Sequence, residues 1–166
     1  LAKRINNALL RAEQIERVER NETTDYIVPI VADGESGFGG ALNVFELTKQ
    51  YIESGIAGIN YEDQHSTEKK CGHMGGKVII PTKQHVKNLV SARLASDILN
   101  VPIVLIGRTD AFSALYLSND VDEVDKNFIT GERTDEGFYK ISNGEDIAIS
   151  RALSFAPYCD VLWCET

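Results

Sequence analysis

Four apolar runs of strand length divide the chain, and every one ends in an acid: "YIVPIVADGE", "AGINYEDQ", "VPIVLIGRTD" and "CDVLWCET". Near-continuous hydrophobicity suits parallel strands buried on both faces, because half-exposed antiparallel strands alternate apolar with polar residues. Amphipathic stretches lie between the runs. Val44, Leu47, Tyr51 and Ile52 share one helical face before Gly55. Val86, Leu89, Val90, Leu94 and Ile98 share another, with Thr82 suited to the N-cap. A third helix is expected from about Glu145 to Ala156, ended by Pro157, and the opening segment carries Ile5, Leu9, Ala12 and Ile15 at helical spacing. Strand, helix, strand, helix is the pattern of a parallel α/β fold.

The acids narrow the architecture. Asp33 with Glu35, Glu62 with Asp63, Asp110, and Glu165 stand at the successive run ends. A doubly wound sheet can end in acids too, but four such strands in a row better suit a barrel, whose strand C-termini converge on one mouth. A complete (β/α)8 barrel takes roughly 250 residues. The expected fold class is therefore α/β, about half of a TIM-type (β/α)8 barrel with parallel strands, and residues 1–166 are expected to form one partial barrel domain. Leu1 falls in what reads as mid-helix and Thr166 directly follows a strand, so a piece of a longer protein is expected. An open half-barrel exposes two strand edges and apolar surface, so alone it should be unstable or self-associating. The connection over residues 112–144 far exceeds the ~4–6 residues usual for core loops. Its aromatics, Tyr116, Phe128, Phe138 and Tyr139, favour an ordered excursion near the mouth.

A formal net charge of −8 repels polyanions, which argues against a nucleic-acid partner. No apolar run reaches the ~18 residues of a membrane span, so no membrane role is expected. Three cysteines, an odd number, with no secretion signal suit a reduced, cytoplasmic setting.

Two glycine-rich stretches fail the familiar phosphate motifs. "DGESGFGG" lacks the third glycine of the dinucleotide fingerprint, and "CGHMGGKV" lacks both the spacing and the hydroxyl residue of a phosphate loop. The glycines after Asp33 and Glu35 read as a flexible turn on their own, but beside hard oxygen donors they let backbone approach a ligand. Oxygen-only ligands at converging strand ends suit Mg²⁺, with Mn²⁺ as the alternative.

In "EKKCGHMGGK" the thiol of Cys71 lies among Lys69, Lys70 and His73. A structural cysteine is the plain reading. Zinc is disfavoured, because Cys71 and His73 have no partner pair at finger spacing. A reactive thiol remains: neighbouring cations, with Arg108 arriving from the next strand end, favour the thiolate over a reference pKa of ~8.5. Such a group can move a proton to or from carbon near neutral pH. His65 and His85 are given no role, His85 being a solvated or packed helix residue. Cys159 and Cys164 are expected in the core, and Lys83 with Lys87 on a solvated helix face.

"KKCGH", "VADGESGFGG", "YEDQ", "GRTD", "FITGERTDEGFY" and "LWCET" together resemble, in the same order, the isocitrate lyases. The resemblance covers essentially the whole chain. It implies Mg²⁺-dependent retro-aldol cleavage of isocitrate to glyoxylate and succinate, the first step of the glyoxylate bypass, in a barrel-based homotetramer. By the same resemblance Asp33 binds the metal, and Glu35 and Glu62 hold its waters. Arg108 holds the glyoxylate carboxylate, Gly72 and His73 line the substrate pocket, and Cys71 protonates the succinate carbanion. Glu165 matches an acid at the mouth, assigned to substrate binding. The family's Ser-Gly-Trp motif, a further metal-shell acid and an Asn/Ser-rich carboxylate-binding motif are absent and, by family order, belong outside residues 1–166. The chain alone is therefore expected to be inactive. A 2-methylisocitrate lyase, or another carbon–carbon lyase of the superfamily, is the alternative, and a redox-sensing α/β module is the non-enzymatic one.

Overall fold

A computed structural model of the chain describes residues 1–19 and 24–166. In chain order the elements are α1 (Ala2–Glu19), β1 (Val31–Asp33), α2 (Ala41–Glu53), β2 (Gly58–Glu62), β3 (Val78–Ile79), α3 (Thr82–Leu99) and β4 (Val104–Thr109). There follow β5 (Tyr116–Leu117), α4 (Glu123–Lys126), β6 (Ile129–Arg133), β7 (Tyr139–Ile141), α5 (Glu145–Phe155), a 3₁₀ turn (Ala156–Tyr158) and β8 (Val161–Cys164). The four apolar runs do become strands, and they form one parallel sheet in the order β1-β2-β4-β8. The first is shorter than its run. Pro29 has no N–H to donate to a ladder, and regular pairing begins only at Val31.

The sheet's register decides which residues meet. Asp33 pairs with Asn60, Glu62 with Arg108, and Arg108 with Trp163. Paired residues of a parallel ladder share a face, so Asp33, Glu62, Arg108 and Trp163 lie on one side of the sheet at its C-terminal end. Ile59, Tyr61 and Leu105 face the other way, into a core with Val44, Ile52, Leu89 and Phe155 from the helices.

Helix α2 buries Val44 and Ile52, with Leu47 and Tyr51 packed alongside, as its spacing predicts. Helix α3 departs from expectation. Leu89 is buried and Val86 packs on the core, but Val90, Leu94 and Ile98 are exposed. The buried stripe is instead Thr82, His85, Asn88, Leu89, Ala92, Ala95 and Ser96. The buried face is lined mostly by small and polar side chains, and the longer aliphatics lie outside it. Nor is Thr82 the cap: Pro81 holds that position, and Thr82 opens the helix with its N–H and hydroxyl both donating to Asp125 (2.8 and 2.7 Å). In α1, Ile5 and Ile15 are exposed, so that apolar face is largely open.

The long connection is ordered. It contributes β5, α4, β6 and β7, and with β3 it builds a second sheet in the order β3-β5-β7-β6. Phe128 and Tyr139 pack on its core of Ile79, Leu117, Ile141 and Ile147. On the side of the parallel sheet that carries Asp33 and Arg108, toward the other end of the strands, Val31 (57%), Val104 (44%) and Val161 (48%) are exposed, and Trp163 (41%) is exposed beside the acids. Covering the exposed half of each valine would be worth about 1 kcal/mol. Cys164 lies at this exposed edge rather than in the core, while Cys159 is half-buried against it.

Candidate active site

The carboxylates converge where the parallel strands end. Gly34 makes the turn out of β1 possible: a Cβ there would lie 2.6 Å from the Asn60 carbonyl oxygen, a backbone atom that cannot yield. Glu35 follows in the left-handed region (φ 55°), where a non-glycine residue costs about 1–3 kcal/mol and is kept only under constraint. The constraint is visible. The Glu35 N–H donates to Asp33 Oδ1 (2.8 Å), and the Glu62 N–H donates to the Glu35 carbonyl (3.0 Å).

Glu62 is buried, and among the described residues its Oε1 accepts no hydrogen bond. Burial, reinforced by Asp110, Asp33 and Asp63 and opposed by Arg108, pushes its carboxyl up to about 8. Lys69 brings positive charge between the acids: its Nζ bonds Glu35 Oε2 and lies 3.5 Å from Glu62 Oε1. Among the described residues no three His, Cys, Asp or Glu side chains are gathered closely enough to cage a metal ion. The donor set nevertheless fits a hard cation. It is oxygen-only, it includes a buried carboxylate oxygen without a hydrogen bond among the described residues, and a lysine ammonium already stands against two of its members. A loose set of this kind suits Mg²⁺, which keeps several waters.

Arg108 is the hub of the site. Its Nε and Nη2 donate to Asp110 (3.0 and 3.1 Å), and its guanidinium lies 3.5 Å from Glu62 and 3.7 Å from Glu165. It also stacks 4.6 Å from the Trp163 ring centroid. Three carboxylates and an aromatic face thus hold one guanidinium at the mouth.

The thiol loop passes directly over it. A Cβ on Gly72 would run into the Glu165 carboxylate and lie 2.8 Å from Arg108 Nη2, so only glycine sits there without displacement. Cys71 and His73 flank it and are exposed. The cations that the sequence places beside Cys71 are turned elsewhere, Lys69 to Glu35, Lys70 to the Gly76 carbonyl and Arg108 to Asp110. Partial desolvation pushes the thiols of both Cys159 and Cys164 up, with Asp63 adding at Cys164, away from the reactive thiolate form.

The family model for the isocitrate lyase family matches residues 3–133 and 132–166. The chain belongs to the isocitrate lyase family. It is 57% identical to the isocitrate lyase of Halalkalibacterium halodurans and 56% identical to isocitrate lyase 1 of Mycobacterium tuberculosis, in each case over 100% of this chain and 39% of the relative. The isocitrate lyase of Salmonella typhimurium is 54% identical over 98% of the chain. This chain therefore spans about two fifths of the length of the curated relatives it matches. Among solved structures, a 2,3-dimethylmalate lyase of the PEP mutase/isocitrate lyase superfamily matches 97% of this chain and 42% of its own at TM-score 0.63 and 26% identity. Oxaloacetate acetylhydrolase with 3,3-difluorooxalacetate matches 82% of this chain and 37% of its own, with TM-score 0.63 and 28% identity. The four-stranded parallel sheet is part of the TIM barrel of that superfamily.

Several residues that shape the site give no sign in the sequence that they are buried. Lys77, Gln64, Arg151 and Asp125 are polar side chains that the structure buries completely or nearly so. Each could be found only through the partner it meets.

Proposed function

We propose that this chain forms the thiol-bearing half of the active site of a Mg²⁺-dependent lyase that cleaves isocitrate to glyoxylate and succinate. One observation carries the reading: Arg108 is fixed between Glu62 and Glu165 directly beneath Gly72, so an anion site, an acid cluster and the thiol loop share one mouth. Asp33, with Glu35 and Glu62 beside it, would hold the metal, and Mg²⁺ when bound would supply polarisation of the hydroxyl oxygen that becomes the aldehyde of glyoxylate.

The hydroxyl proton passes to a general base of the complete active site, the C2–C3 bond breaks, and its electron pair passes to C3, delocalised into the adjoining carboxylate. Arg108 binds the glyoxylate carboxylate, Gly72 and His73 line the pocket, and Glu165 borders the substrate. Cys71 delivers its thiol proton to C3, and succinate results. The guanidinium is preorganised by Asp110, so little reorganisation is spent when charge develops. The working assembly, a cytoplasmic homotetramer, belongs to the same proposal.

The test is glyoxylate release from isocitrate by the longer protein containing this sequence, with Mg²⁺ and after chelation, with 2-methylisocitrate in competition. Mg²⁺-dependent release with isocitrate preferred supports the reading, and so does its absence from the isolated 166-residue chain. A folded, Mg²⁺-loaded longer protein that releases no glyoxylate sinks it.

A further inference from the structure

Cys71 is exposed, yet the residues on either side of it are each held by a fully buried side chain. Before it, Gln64 makes two bonds to one residue: its Nε2 donates to the Lys70 carbonyl (2.9 Å) and its Oε1 accepts from the Lys70 N–H (2.9 Å). After it, Lys77 Nζ donates to the Gly72 carbonyl (2.5 Å) and to Asp110 Oδ1 (2.9 Å). Lys70 Nζ closes the loop further by donating to the Gly76 carbonyl (2.9 Å).

A buried lysine is costly unless paired and hydrogen-bonded. Asp110 does not need this one, because the Arg108 fork already donates to both its oxygens. Among the described residues, the contact that Lys77 alone supplies is the one to the Gly72 carbonyl. Through it the loop is tied to Asp110, and Asp110 in turn orients Arg108. Two buried polar groups thus set where the thiol stands relative to the anion site.

We infer that Gln64 and Lys77 are positioning residues that clamp the backbone on both sides of Cys71 and hold its thiol in register with Arg108. The inference rests on the proposed role of Cys71 as proton donor. Neither side chain touches the reacting atoms in this account.

The experiment uses the full-length lyase with Lys77→Met and Gln64→Met, read by amide hydrogen exchange over residues 68–77 and by steady-state kinetics with isocitrate. Release of a clamp is expected to speed exchange by about tenfold or more in that segment alone, since local opening is governed by local bonds. It should also lower kcat roughly 10–100-fold, as misplacing a catalytic group does, with KM within about threefold of wild type. A folded Lys77→Met enzyme with wild-type exchange at 68–77 overturns the inference, as does one with wild-type kcat. Where Lys77→Met fails to fold, Gln64→Met, which removes no charge, decides by the same two readouts. The exchange measurement needs no activity, so it judges the clamp separately from the lyase reading.

Discussion

Arg151 Nη1 donates to Asp63 Oδ2 at 2.9 Å, and both side chains are completely buried. The other arm of the guanidinium donates to Asp125 at 2.8 Å, so a single arginine on α5 joins the end of β2 to the excursion between β4 and α5. Asp63 is filled by two more donors, the Thr109 hydroxyl (2.7 Å) and the Asp110 N–H (2.9 Å). The functional mouth is therefore braced from behind by a buried ionic network. Replacing Arg151 with Leu leaves two buried carboxylates uncompensated, and a loss of about 3–5 kcal/mol is expected. Denaturant unfolding of the full-length protein checks this, and limited proteolysis should find new cleavage within residues 112–144.

His85 gives the pH dependence. It is fully buried, its ring meets Phe155 edge-on at 4.6 Å, and neither ring nitrogen has a hydrogen-bond partner among the described residues. Burial, with nearby Arg151 adding and Asp110 opposing, pulls its pKa down to about 3. Between pH 3 and 6.5 the unfolded chain binds a proton that the folded one refuses, so this residue's contribution to stability is complete above pH 6.5 and is lost as pH falls toward 3. His85→Phe should flatten the acid limb of the stability profile by about 1.4 kcal/mol per pH unit. Unfolding midpoints measured from pH 4 to 7 on the wild type and variant would show it.

Arg108→Lys keeps the charge and discards the fork. Lysine cannot donate to both oxygens of Asp110 while stacking on Trp163, so the anion site loses its fixed orientation. Loss of a fixed, buried charge contact should cost kcat/KM for isocitrate roughly 100-fold. Unchanged kcat/KM in steady-state assays would remove Arg108 from substrate binding.

Gly72→Ala tests the close approach of the loop to the anion site. The new Cβ displaces the Glu165 carboxylate, which can swing into solvent, so the fold should lose only about 1 kcal/mol. Arg108 Nη2 is the less mobile neighbour, and KM for isocitrate should rise about tenfold. Unfolding and kinetic measurements on the same preparation separate the two effects.

The parallel half-barrel was legible because apolar runs and acidic run ends are one-dimensional signals. Asp33, Glu62 and Arg108 could be placed at one mouth from the strand ends alone, and the register of β1, β2 and β4 brings them onto one face. What the sequence hid is polar burial. His85 and Asn88 look like surface residues of an amphipathic helix, yet they face inward while Val90, Leu94 and Ile98 stay out. Small neighbours such as Ala92 and Ala95 set that choice, and hydrophobic spacing does not weigh them. Lys77 was invisible for a related reason: a lysine after two glycines reads as solvated until Asp110, 33 residues away, closes on it. The charges around Cys71 were legible as residues but not as contacts, since their ends are taken by Glu35 and the Gly76 carbonyl.

Cys71 is the proposed proton donor in carbon–carbon bond cleavage. The decisive measurement is glyoxylate formation from isocitrate by the full-length protein with Mg²⁺, comparing wild type with Cys71→Ser. General-acid catalysis is worth about 10²–10⁴-fold, so kcat should fall by that order while Mg²⁺ and isocitrate still bind. Wild-type kcat in the folded serine variant would contradict the account, because the proton would then come from another group.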